Sequence, residues 1–421
     1  MTIKALYPTV RPTLNLDFAK TKVLDPRITF TRASTGTFVG SNGLIQTAAS
    51  DAARFDHNPA TGESLGLLVE EARTNYRRYS STFSDGSYIK GYSLGLSTGG
   101  SVVLPNQVDS PLGSLTGWKF GPDPAADAGY LISTRLEIWS DYIPSGNTKV
   151  LSIFAKAGTA GTTLKLHPAN ENSDAATFNL ETGAVVSGPG SIQNYGNGWY
   201  RCSVVTSVNI TSGRNFQIHA RCSSYSDFIY IAACQFEAGS FPTSYIPTTT
   251  VAVTRAADVA SMTGTNFSSW YRQDEGTMFA LHKAQPADLG TQGRPVWQLD
   301  RPSSSGGWEH GLIYYRTTIN YKVRGGSADG AEPTVSHSDS VGSTTRAVFG
   351  WSNALNEIRM AYNGTLSSIV AKGAGTSIDR LNIGNGIALS NYTGQVNTTI
   401  ARIAYYPVRL PDAQLQALTA T

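Results

Sequence analysis

The side chains in this chain best suited to chemistry are aromatic rings set among amides and hydroxyls. A flat ring stacks on the apolar face of a pyranose, and a neighbouring Asn, Gln, Asp or Arg takes the sugar hydroxyls. Trp308 sits in Ser303-Ser-Ser-Gly-Gly-Trp-Glu-His-Gly311, where a large apolar ring has no periodic partner. Tyr315 follows a few residues on, and Trp118, Trp139 and Tyr142 border a second stretch rich in Pro and Gly. These five are the candidate carbohydrate-binding residues. Trp270-Tyr271, Trp297 and Tyr314 offer the same chemistry. Trp199 and Trp351 fall in alternating strands and read as core, the commoner place for a ring in a sandwich.

Other chemistry finds less support. Glycan hydrolysis needs two carboxylates across a cleft. Glu70 and Glu71 are adjacent, so on a strand they point to opposite faces. Asp300 and Glu309 flank the Trp308 loop and read as solvated loop acids. A Ser/His/Asp set of Ser305, His310 and Asp300 can be assembled on paper, but no nucleophile-elbow pattern accompanies it. Asp123, Asp127, Glu137 and Asp141 cluster loosely, at a spacing unlike a calcium loop. No Cys/His spacing suggests zinc. No catalytic residue, metal site or cofactor is therefore expected.

Composition agrees with a binding or structural role. The chain has 421 residues, a net charge of +3 and only 15% charged residues, with 42 glycines and 20 tyrosines. Uncharged polar and aromatic residues among many turn formers suit short strands. No basic stripe points to nucleic acid, and no apolar run approaches the roughly 18 residues a bilayer span needs. The odd cysteine count (Cys202, Cys222, Cys234) argues against a disulfide framework, and all three read as buried thiols. The N-terminus lacks the apolar stretch of a secretory signal, so cytoplasmic synthesis is expected.

The elements that must carry the candidate residues are strands. Residues 1–75 alternate at Leu14–Phe18 and Ile28–Thr31, with a hairpin at Asn42-Gly43. Residues 76–258 contain seven or more period-2 runs, and residues 259–421 contain a further series with a turn at Asn363-Gly364. One helix is predicted over 411–418, opening on Pro411 and Asp412. The fold class is all-β: tandem antiparallel jelly-roll sandwiches at 76–258 and 259–421, behind a small β-rich anchoring segment at 1–75. Ile28-Thr-Phe-Thr-Arg-Ala33 echoes Val251-Ala-Val-Thr-Arg-Ala256, which suggests that Arg32 and Arg255 tie strand ends to neighbouring blocks at two similar junctions.

Three stretches carry a resemblance. Phe228–Gly239 with Phe241–Asp258 looks like the end of a carbohydrate-binding-module-like jelly roll of tailed-phage virion proteins. Ile28–Ala33 and Leu67-Leu-Val-Glu-Glu-Ala-Arg-Thr-Asn75 occur in the same order in those proteins. Residues 346–418 resemble a concanavalin A-like, laminin-G-like jelly roll, from Arg-x-Val-Phe-Gly-Trp to Arg-Ile-Ala-Tyr-Tyr-Pro. The resemblance implies a virion spike, fibre or decoration subunit, homotrimeric, partnered by other virion proteins and by host surface polysaccharide. Two other readings stand beside it: a purely architectural virion protein, and a glycan-depolymerising tailspike.

Overall fold

The structure, a computed structural model, describes residues 8–83, 89–93, 101–122, 133–139, 148–168, 174–206, 215–284, 294–300, 308–315, 320–325, 334–336, 342–371, 377–386 and 394–420. It is all-β, built as two antiparallel two-sheet sandwiches.

The central sandwich packs two six-stranded sheets face to face. One runs Gly190–Asn194, Trp199–Thr206, Lys149–Ala157, Ile229–Ala238, Gly113–Pro122, Ser101–Ser110. The other runs Ala184–Ser187, Ala176–Asn179, Thr163–His167, Asn215–Arg221, Ser133–Trp139, Ile89–Ser93. Alternate residues such as Leu151, Ile153, Leu164, Leu166, Cys202, Val204, Ile218 and Cys234 fill the space between them. Lys149–Ala157 is buried on both faces for most of its length. Its outer side, at Phe154, is covered with Ala232 and Ala233 by Val39 and Tyr245.

The second sandwich draws on both ends of the chain. Its first sheet runs Thr365–Leu366, Glu357–Tyr362, Thr344–Ser352, Glu275–Lys283, Thr398–Tyr406, Ser64–Val69, Arg54–His57, with Leu14–Asp17 also paired to Thr398–Tyr406. Its second runs Thr29–Thr31, Val259–Thr263, Arg380–Ile383, Arg294–Asp300, Trp308–Tyr315, Asn320–Gly325, Thr334–Ser336. Residues 8–75 are thus β-rich, as their alternation implies. However, the boundary drawn at residue 75 does not coincide with a sheet boundary. Leu14, Leu16, Leu67 and Val69 belong to the same core as Trp297, Phe349 and Tyr405. Alternation reveals which face of a strand is buried, but it carries no information about a partner hundreds of residues away.

Gly66 shows how close this joining is. Its φ is +98°, and a Cβ there would run into the carbonyl of Ile400 and the Cα of Ala401 on the neighbouring strand. The predicted helix forms at Asp412–Thr419. Leu415 is buried beside Phe279, Val348 and Tyr406, so the helix closes the outer face of the first sheet. Asp412 ties it down by ion pairs with Arg359 and Arg409. The hairpin at Asn42-Gly43 joins Gly36–Val39 to Ile45–Ala48.

Candidate functional site

Of the five aromatic candidates, Trp118, Trp139, Trp308 and Tyr315 fall on three different strands. Trp118 is core: it is 8% exposed, its Nε1 donates to the Ser81 carbonyl at 3.1 Å, and Phe83 packs edge-on at 5.9 Å. It therefore has no face to offer a sugar. Trp270, Tyr271 and Trp297 are likewise buried, with Trp199 and Trp351. Trp308 and Tyr315 open and close one strand, Trp308–Tyr315, instead of standing in a loop. Trp308 pairs with Asp300 and Tyr315 with Asn320, so the two backbones lie about 23 Å apart at a strand rise of about 3.3 Å per residue. Trp139 ends the strand Ser133–Trp139, in the opposite sheet of its sandwich from Trp118. The side chains of Trp139, Trp308 and Tyr315, and all of Tyr142, lie outside the described residues.

What does converge is the joint between the sandwiches. The segment after Ile229–Ala238 turns back, and Val253–Arg255 pairs antiparallel with Arg73–Asn75. Arg32 and Arg255 enter one buried network from opposite sides. Arg32 Nη1 meets Asp258 Oδ1 at 3.1 Å, with both side chains fully buried. Arg54 bridges Glu70 at 2.7 Å and Asp258 through its other Nη. Arg255 Nη1 lies 3.1 Å from Glu70 Oε2 and donates to Thr243 Oγ1, whose own hydroxyl donates to Glu237. Ser244 donates its N–H and its hydroxyl to Glu70, both at 2.7 Å. Three guanidinium groups thus face three carboxylates. Burial pushes the Glu70 carboxyl up, but Arg255, Arg54 and the Ser244 bonds outweigh it and hold it at about 2. Glu71 points the opposite way, to Arg73 at 2.5 Å and Arg294 at 2.6 Å. The pair lies in the link between Ser64–Val69 and Arg73–Asn75, not on a strand.

Beside this network lies a cleft of about 470 Å³, walled by the N-terminal hairpin and both sandwiches. Asp56, Glu70, Tyr195, Arg201, Lys283 and Asn397 line it. Asp56 accepts the Val39 N–H at 2.6 Å. Desolvation, reinforced by the nearby Glu70 charge, raises its carboxyl to about 7 against the opposing pull of the Val39 bond and Arg54. In the folded chain Asp56 keeps its proton up to about pH 7, whereas the unfolded chain loses it near 3.8. The stability this group contributes is full below about pH 3.8 and is lost as the pH rises through about 7. Asp56→Asn keeps the acceptor for Val39 and cannot ionise. At pH 8 it is expected to unfold later in urea than the parent, by on the order of 2 kcal/mol, with the gap closing towards pH 4. Equal midpoints at pH 8 would refute the raised carboxyl.

Sequence reading singled out neither Asp56 nor Tyr195, because the cleft exists only where three distant segments meet. Among the described residues no group of three His, Cys, Asp or Glu could hold a metal ion, and no helix is long and apolar enough to cross a membrane. Asp123, Asp127 and Asp141 lie outside the described residues. Cys202 and Cys234 are buried and Cys222 is half-buried, all as free thiols. Burial pushes the Cys222 and Cys234 thiols up to about 12, which leaves them unreactive at neutral pH.

No protein-family model and no curated protein sequence matches the chain. Several solved structures are similar in part. The CBM40 of Ruminococcus gnavus IT-sialidase, bound to α2,3-sialyllactose, is 15% identical over 35% of this chain and 83% of that one, with a TM-score of 0.28. The NanB sialidase of Streptococcus pneumoniae is 13% identical over 37% of this chain and 26% of its own, with a TM-score of 0.30. A Trypanosoma rangeli sialidase is 10% identical over 72% and 66%, with a TM-score of 0.31. At TM-scores this low the likeness assigns no activity, ligand or site to this chain.

Proposed function

We propose that the chain is a structural subunit of a tailed-phage or related virion, a spike, fibre or decoration protein that meets glycans on the host surface. The observation that supports this reading is where the resemblance-bearing segments go. Ile28–Ala33, Leu67–Asn75 and the stretch up to Asp258 supply Arg32, Glu70, Glu71, Arg73, Arg255 and Asp258 to one buried joint. The segments that carry the resemblance are thus the part that locks two sandwiches together. A rigid pair of sandwiches suits a subunit that must project from a particle and present a fixed surface. Shallow sugar contacts gain strength when many copies engage at once, so a homotrimer fits the same role. Trp308, Tyr315, Trp139 and Tyr142 stay as proposed contacts, with Trp308 and Tyr315 serving separate ones.

The test is binding of the purified full chain to bacterial surface polysaccharides by biolayer interferometry. Saturable binding is expected, with Trp308→Ala about tenfold weaker. A chain that binds no polysaccharide, on particles that adsorb normally without it, would leave only the architectural role. A fall in polysaccharide viscosity on incubation would make it a depolymerase instead.

A further inference from the structure

We propose that the outer face of the sheet holding Thr163–His167 and Asn215–Arg221 binds an acidic polysaccharide, one with carboxylates on its sugars. The inference rests on the glycan-binding reading above and gives it a ligand class. This face points away from the joint, because Val39 and Tyr245 cover the outer side of the opposite sheet. Leu164, Leu166, Phe216, Ile218 and Ala220 point into the core, so the alternate residues Thr163, Lys165, His167, Gln217, His219 and Arg221 point outward. Register carries the face onward. Thr177, Lys165, His219, Arg135 and Tyr92 form one row across five strands, with neighbours about 4.8 Å apart. The next row reads His167, Gln217, Glu137, Lys90.

Charge marks this face. Its outward positions hold four cations, Lys90, Arg135, Lys165 and Arg221, and one acid, Glu137. That surplus equals the +3 of the whole chain, so the rest of the molecule is balanced without it. Burial, and then the nearby Arg221 charge, pushes the Lys165 ammonium below its ordinary range. Among the described residues no carboxylate pairs with Lys165 or Arg221. Glu181 and Asp227, near the same end of the sheet, accept backbone N–H groups instead, from Gly161 at 3.1 Å and from Ser223 and Ser224 at 2.8 Å.

The floor between these cations is polar and ordered. Thr177, His167, Gln217 and His219 are 8%, 6%, 6% and 7% exposed, whereas Lys165 is half-buried and Arg221 exposed. His219 Nε2 lies 3.0 Å from Gln217 Oε1, and the His167 ring sits 6.0 Å from that of His219. Pre-ordering of this sort lowers the entropic cost of binding. Cations without a counter-charge draw an anion, and a charge-assisted bond to a carboxylate is about twice as strong as a neutral one. A polyuronate sets its carboxylates among hydroxyls, which matches cations set among neutral polar groups. Duplex DNA, with a charge every 1.7 Å or so, calls for a denser array. Trp139, already a proposed contact, takes the outward position opposite Asn215 at the end of this face.

The experiment measures binding of the full chain to immobilised polygalacturonate, dextran and duplex DNA by biolayer interferometry. Lys165→Met keeps the apolar stem and removes the ammonium, Arg221→Ser removes an exposed guanidinium, and Lys20→Met removes an exposed cation from the other sandwich. The expected result is polygalacturonate binding that weakens as salt rises, falls about tenfold in Lys165→Met and in Arg221→Ser, and is kept by Lys20→Met, with melting temperatures unchanged. Polygalacturonate binding that both face variants keep, or that Lys20→Met loses equally, overturns the face while the adhesion reading stands. A preference for dextran overturns the acidic ligand, and tighter binding to DNA overturns the polysaccharide. A parent chain that binds no polysaccharide removes both proposals together.

Discussion

Glu70→Ala is expected to lower the unfolding free energy by about 3–5 kcal/mol, read from urea or guanidinium midpoints at pH 7. Glu70 is the shared acceptor of Arg54, Arg255 and both donors of Ser244. Its loss leaves Arg255 with no carboxylate in direct contact and Arg54 with Asp258 alone. A buried guanidinium without its counter-charge is costly because desolvation is no longer offset by attraction. The pH dependence distinguishes this from simple loss of packing. Glu70 is held at about 2 in the folded chain against 4.5 ordinarily, so its contribution is present above about pH 4.5 and lost as the pH falls towards 2. The parent should therefore lose stability through that window, and Glu70→Ala should lose less. Glu71→Ala, at a more exposed pair, serves as the milder control. If both variants unfold at the parent midpoint, the joint does not hold the sandwiches together.

The fragment 259–421, produced without the rest of the chain, is expected to be unfolded or insoluble. Its strand Thr398–Tyr406 would lose two partners, Leu14–Asp17 and Ser64–Val69, and Val259–Thr263 would lose Thr29–Thr31. The core would also lose Leu14, Leu16, Phe18, Leu67 and Val69. Each buried aliphatic of this kind contributes about 1.5–3 kcal/mol by area, and a domain's whole margin is about 5–15 kcal/mol. Circular dichroism and a cooperative melt measure the outcome. A cooperative melt like that of the full chain would show that 259–421 is a self-sufficient sandwich and that the N-terminal strands are an addition to it.

Local structure was legible in the sequence because local rules dictate it. Alternation marks Lys149–Ala157 and Thr344–Ser352 as strands, and Asn363-Gly364 makes its turn with φ of 43° and 82°, values that suit Asn and Gly. The Thr-Arg-Ala echo pointed to Arg32 and Arg255, two members of the buried network. Their partners Arg54, Glu70 and Asp258 carried no such mark, since opposite charges far apart in sequence do not announce that they meet. Trp118 was misjudged although the signal was present. Phe120, two residues on, shares its face of the strand, and a face carrying both rings belongs inside. The cleft at Asp56 was out of reach, because its walls come from strands whose pairing no periodicity encodes.

The pairing of Ser64–Val69 with Thr398–Tyr406 has a consequence for how the chain is made. A ribosome adding about 5–20 residues per second needs roughly 15–65 seconds to travel the distance between those strands. Throughout that interval Leu67, Leu68 and Val69 have been synthesised but lack the strand that will cover them. The central sandwich, whose strands pair among themselves, can close while the chain is still growing. Leu14–Asp17 and Ser64–Val69 wait for Thr398–Tyr406. Emergence of Thr398–Tyr406 from the ribosome, and not of the strands before it, is therefore the step that ends their exposure to aggregation and chaperones.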